Sequence, residues 1–139
     1  MPTKYQNCIY TKTRIYSNGK PTRSSALRGH PQKKAVCIRP RIVKPKKPNS
    51  AQRKVVKVRL STRRKIICYI PGIGGPAGET HGLREYSQVM VRGGGVPDLP
   101  GIQYHLVKWP LDFGWQEAFL RVHGRSKYGI PNPNKQKNT

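Results

Sequence analysis

Between residues 35 and 107 the apolar residues gather into five short runs: AVCI (35–38), VVKVRL (55–60), KIICYI (65–70), SQVMV (87–91) and IQYHLV (102–107). Each is rich in β-branched or aromatic residues and too short for a globular helix, so five strands are predicted. Within VKVRL the alternation is strict. Val56, Val58 and Leu60 fall on one face and Lys57 and Arg59 on the other, which predicts a core side and a cationic side. The separating segments RPRIVKPKKPNS (39–50), PGIGGPAGETHG (71–82) and RGGGVPDLPG (92–101) are dense in Pro and Gly, which interrupt strands and shape loops. Short antiparallel strands joined by long loops predict an all-β fold, a five-stranded Greek-key barrel of the OB type, over residues 35–108.

Outside that region the pattern fades. Residues 1–34 interleave Lys and Arg with Tyr5, Tyr10 and Tyr16 at neither helical nor strand period, and predict an extended N-terminal arm. The same composition describes an organelle transit peptide, but the amphipathic period of one is missing. Residues 109–139 form a third region. Trp109, Phe113, Trp115 and Phe119 are clustered as packing residues would be, and RSKYGIPNPNKQKNT reads as an extended basic tail without a core of its own.

Charge decides the class of partner. The 139 residues hold 28 Lys and Arg against 5 Asp and Glu, a net charge of +23, and only 35% are hydrophobic. Twenty of the cations precede Ile66, whereas all five acids (Glu79, Glu85, Asp98, Asp112 and Glu117) come after Gly78. Such a chain repels itself when compact and attracts polyanions, so nucleic acid is the expected partner and supplies part of the order. No apolar stretch approaches the roughly 20 residues of a membrane-spanning helix, so no membrane partner is expected. Cys8, Cys37 and Cys68 lack any CxxC spacing, which suggests neither a disulfide framework nor a zinc site; buried thiols in a reducing compartment fit better, with no cofactor and no metal.

Two loops carry candidate chemistry. In KPKKPNS (44–50), Pro45 and Pro48 stiffen a turn from which Lys46 and Lys47 project, with Asn49 and Ser50 beside them as short polar groups for sugar hydroxyls or base edges. In RGGGVPDLPG, three glycines lead into a corner stiffened by Pro97 and Pro100. Asp98 in that corner either caps a turn or repels phosphate unless something compensates it. The glycines of PGIGGPAG match no phosphate-loop or dinucleotide fingerprint. A ribonuclease built on His81 and His105 is disfavoured, because nothing in the histidine spacing pairs an acid with a base. His105, beside Tyr104 in an alternating strand, reads as structural or base-stacking, and His81, in a Gly-rich loop, as the better ligand contact.

The segments PKKPNSAQRKVVKVRL (45–60), VRGGGVPDLPGIQYH (91–105) and RSKYG (125–129), with MPT at the start and PQKKAVC (31–37), closely resemble the ribosomal protein S-twelve family of the small-subunit decoding centre. The likeness is collinear over almost the whole chain, missing mainly residues 109–123 and the last stretch of the tail. It implies an OB barrel beside the decoding site, no enzymatic activity, and a role in codon–anticodon accuracy. Its implied partners are small-subunit rRNA, other small-subunit proteins and the mRNA–tRNA decoding complex. Matched residue by residue, the decoding-centre contacts are Lys46, Lys47, Pro48, Asn49, Ser50, Arg53, Lys54, Asp98, Leu99 and Pro100. His81 is the tRNA- or factor-side candidate. The rRNA contacts of arm and tail are Arg14, Arg23, Lys33, Lys34, Arg125, Lys127 and Tyr128.

Asp98, Leu99 and Pro100 resemble the second family loop, which by that resemblance faces the decoding helix and influences accuracy and streptomycin sensitivity, and whose Asp is a site of methylthiolation in bacterial members. Where Gly95 and Pro97 stand the family usually has basic residues, so two cationic contacts are absent here. The lengthened PGIGGPAG stretch and the diverged Trp-rich segment point to a mitochondrial ribosome, with bacterial cytoplasm or a plastid as the competing locations. A resemblance that starts at Met1 suggests an organellar copy made inside the organelle. A free OB-fold RNA binder or RNA chaperone is the competing function.

Overall fold

A computed structural model describes Thr3 and residues 24–72, 82–113 and 121–132. Five strands appear where the alternation predicts them: β1 (Gln32–Val43), β2 (Arg53–Leu60), β3 (Lys65–Tyr69), β4 (Gln88–Gly93) and β5 (Tyr104–Val107). They close into a barrel in the order β1-β2-β3-β5-β4. Cys37, Val56, Val58, Cys68, Val89, Val91 and Leu106 are fully buried inside it, and Lys57 and Arg59 lie on the outer face. The binary pattern of β2 therefore works as read: one face stabilises by burial, at roughly 25 cal/mol per Å² of apolar surface, and the other stays in water. Burial also pushes both described thiols, Cys37 and Cys68, above the usual thiol range, with Glu85 adding to the shift at Cys37. Cys8 lies outside the described residues.

Three features differ from the sequence pattern. First, Arg39–Val43 belong to β1 instead of a Pro-rich loop. β1 pairs with β4 only through Gln32–Val36, and beyond a register shift between Cys37 and Arg39 it pairs with β2 alone. Pro40, opposite Val56, thus sits where the strand has a single neighbour and a missing N–H costs little. Second, the barrel is not purely antiparallel: β3 and β5 run parallel through Cys68–Tyr104 and Tyr69–His105. Third, ordered structure extends beyond 35–108. A 3₁₀ turn, Ser25–Leu27, tucks Ala26 and Leu27 into the barrel core, and the Ala26 N–H donates to Tyr104 Oη at 3.1 Å. Past residue 108, Phe113 joins the same core and Arg125–Tyr128 form a helical turn, α1.

No helix among the described residues is long and apolar enough to cross a membrane.

Candidate nucleic-acid interface

The loop before β2 and the loop before β5 meet outside the barrel. Val55, near the start of β2, has its side chain on the outer side, where Leu99 and Ile102 cover it and Val43, Tyr69 and Val96 pack around them. This second, smaller core folds residues 94–103 over the barrel wall. The backbone of the loop closes on itself: Leu99 N–H donates to Val96 O and Ile102 N–H to Leu99 O. Leu99, matched to the decoding contacts by motif, is 2% exposed and cannot offer its side chain to a ligand. Its role is to anchor the loop apolarly, because a leucine gains more by covering Val55 than by facing water.

Asp98 joins the two loops. Its backbone carbonyl accepts from Lys46 N–H at 3.0 Å. Its Oδ1 accepts from Asn49 Nδ2 at 2.7 Å, and its Oδ2 pairs with Arg53 Nη2 at 3.4 Å. Both partners of that ion pair are less than a third exposed. Arg53 further donates from Nη1 to Ala51 O, and Asn49 N–H closes the 46–49 turn onto Lys46 O. The carboxylate is therefore compensated from inside the protein. Asn49 and Arg53, matched to rRNA contacts, are committed to holding the corner, while Lys46, Lys47, Pro48, Ser50 and Pro100 stand exposed and Lys54 is half-buried on β2. The Arg53–Asp98 ion pair ties the start of β2 to the loop before β5, and among the described residues no carboxylate pairs with Lys46 or Lys47.

Other expected contacts are spread around the barrel. Lys33 and Lys34 sit on β1, where Lys34 lines a basic hollow with Arg59, Arg63 and Lys65. Arg125, Lys127 and Tyr128 form α1, which is fixed to the end of β5 by Trp109 N–H donating to Tyr128 O at 3.0 Å. Gly129 ends α1 with φ +73°, and a Cβ there would stand 2.6 Å from Val107 Cγ1 and 2.7 Å from Trp109 O, so only glycine allows this docking. Arg14, Arg23 and His81 lie outside the described residues.

Nothing in the sequence pattern singles out Arg92, on β4, and Arg121, ahead of α1, which the fold brings together with Lys127 and Tyr128. Along the chain they are isolated cations, and only the fold makes them neighbours. His105 lies beside them, packed edge-on against Tyr69 at 5.2 Å between centroids. Its Nδ1 is 2.7 Å from Gly94 O, so that nitrogen carries the proton and Nε2 is the acceptor. Burial lowers its pKa from the ordinary 6.5; the Gly94 hydrogen bond opposes this, while Arg92 and Lys127 add to the lowering. Among the described residues no cluster of His, Cys, Asp or Glu is suited to a metal ion.

A family model described as ribosomal protein S12/S23 matches residues 20–137. A small ribosomal subunit protein uS12m from Acanthamoeba castellanii is 60% identical over 110 residues, which cover 79% of this chain and 82% of that relative. With a family match that spans every described residue but Thr3 and a relative of this identity, this protein belongs to the ribosomal protein S12/S23 family, a family of structural ribosomal components and not of enzymes.

Proposed function

We propose that this chain is a structural constituent of the mitochondrial small ribosomal subunit, bound to its rRNA at the decoding centre, where its two joined loops help set codon–anticodon accuracy. The observation that carries the reading is the Asp98 clasp, which fixes the backbone of the turn bearing Lys46 and Lys47, two exposed cations that no carboxylate among the described residues pairs with. The mitochondrial assignment rests on the 60% identity to uS12m.

A preformed cationic corner gains selectivity without cost at the moment of binding, because its geometry is fixed by Leu99 and Asp98 before RNA arrives. Lysines contact phosphate and do not read sequence, so the corner suits the shape of a folded rRNA. It affects accuracy only by contacting the correctly paired state more favourably than the mispaired one, since a ligand shifts an equilibrium by its differential affinity alone. Small-subunit rRNA, neighbouring small-subunit proteins and the mRNA–tRNA complex are the partners this reading requires.

Two measurements test it. The tagged full chain should cofractionate with small subunits in a sedimentation gradient; recovery as free protein would favour an RNA chaperone outside the ribosome. Lys46→Ala or Lys47→Ala should then change misreading in a translation reporter more than it changes small-subunit abundance. Unaltered error rates with normal assembly would refute a decoding role for the corner.

A further inference from the structure

On the side of the barrel bearing the parallel β3–β5 pair, α1 and the end of β4 enclose an open cleft of about 570 Å³. Its chemistry comes from Tyr69, Arg92, His105, Arg121, Lys127 and Tyr128. The guanidinium of Arg121 lies over the Tyr128 ring, 3.8 Å from its centroid. Arg92 donates from Nη1 to Gly93 O at 3.0 Å, but its Nε, like that of Arg121, is withdrawn from water without a hydrogen-bond partner. No carboxylate among the described residues pairs with any of the three cations: Asp98 is held by Arg53 and Asn49, and Asp112 accepts from the Gln88 N–H.

Three cations gathered around one hollow without an acid repel one another, and partial burial strengthens that repulsion. The fold nevertheless fixes them there, through the Trp109–Tyr128 backbone bond and the glycine at 129. We propose that this cleft is a second RNA subsite, separate from the Asp98 corner, which seats an internucleotide phosphate among Arg92, Arg121 and Lys127 and stacks the adjoining unpaired base on the Arg121–Tyr128 pair. The phosphate supplies the missing counter-charge. The base finds a planar cation already aligned on an aromatic ring, an arrangement that accepts any base because every base has a π-face. The volume accommodates a nucleotide. Burial is the main cause of the lowered pKa of His105, and Arg92 and Lys127, which it faces, add to the lowering. This subsite rests on the reading of the chain as an rRNA-binding protein and adds to it where on the barrel an unpaired nucleotide is held.

The test uses the full chain with a short fluorescein-labelled oligouridylate and an abasic oligomer of equal phosphate count, with anisotropy read across a salt series. Arg121→Gln with Lys127→Gln should reduce the log–log salt slope by about 0.7, the share of one single-strand phosphate contact, and weaken binding roughly ten-fold. Lys127→Gln alone, at an exposed site, should remove about half of that slope and so excludes misfolding as the cause. Tyr128→Leu should weaken oligouridylate at least about five-fold and leave the abasic oligomer unchanged. Equal losses from neutralising Arg59 and Lys65 on another face, or equal effects of Tyr128→Leu on both oligomers, would overturn the subsite. So would cleft variants that bind like wild type while Lys46→Gln with Lys47→Gln weakens binding, an outcome that leaves the rRNA-binding reading intact. A wild-type chain without salt-dependent RNA affinity would instead remove that reading itself.

Discussion

The Asp98 corner and the Arg92–Arg121–Lys127 cleft use charge in opposite ways. At the corner an acid sits among cations, and its two carboxylate oxygens and its backbone carbonyl are all engaged by residues of the neighbouring loop and strand. The acid shapes the corner while leaving Lys46 and Lys47 exposed. In the cleft no acid among the described residues intervenes, and the cations are held by backbone docking and by an aromatic ring. A basic protein can thus fix cations either by giving them an internal partner or by fixing the backbone around them. Only the second way leaves the full charge for a ligand.

The largest expected effect comes from removing the apolar anchor of the corner. Leu99→Ala should destabilise the fold by about 3 kcal/mol in urea unfolding, as for other fully buried leucines, and release residues 94–103 to proteolysis. If stability fell while the loop stayed protected, the Asp98 clasp alone would be holding it.

Next in size, Asp98→Ala should cost about 1 kcal/mol, since it removes a charged acceptor from Asn49 and Arg53 at a partly exposed site. It should also steepen the salt dependence of RNA binding, because the corner then resembles the cleft in carrying uncompensated cations. An unchanged slope would mean that the carboxylate does not screen the lysines.

The smallest effect is on pH dependence. The folded-state pKa of His105 is lowered below the ordinary 6.5 by burial and by Arg92 and Lys127. The unfolded chain therefore binds more protons in the window between the two values. The stability His105 contributes is fully present above about 6.5 and is lost as pH falls through the lower, folded value. Urea midpoints should drop on acidification across that window, and His105→Gln should flatten the drop. A variant as pH-sensitive as wild type would place the proton uptake elsewhere.

The barrel was legible because β2 to β5 bury alternate or consecutive apolar residues, a signal local to each strand. The second half of β1 was not. Pro40 and its cationic neighbours read as loop, and only its pairing with β2 alone explains why a proline is tolerated there. At the corner, Lys46 and Lys47 were evident from composition, but the duties of Asn49, Arg53 and Leu99 were not. Whether a side chain faces RNA or its own protein depends on contacts across 45 to 49 residues of sequence separation, as Arg53 and Asn49 with Asp98 demonstrate. The cleft was least legible of all, since residues of β3, β4, β5 and α1 compose it and none is adjacent in sequence to its partners except Lys127 and Tyr128.

The parallel β3–β5 contact comprises just two residue pairs, Cys68–Tyr104 and Tyr69–His105. It is the shortest ladder of the barrel, so the fewest backbone pairs offset the loop entropy of closing it. Amide hydrogens along it should exchange sooner than those of the β1–β2 ladder. Tyr69 and His105, packed edge-on across that seam, form the cleft's floor, so a nucleotide seated above them would cover the barrel's shortest ladder from outside and slow its opening.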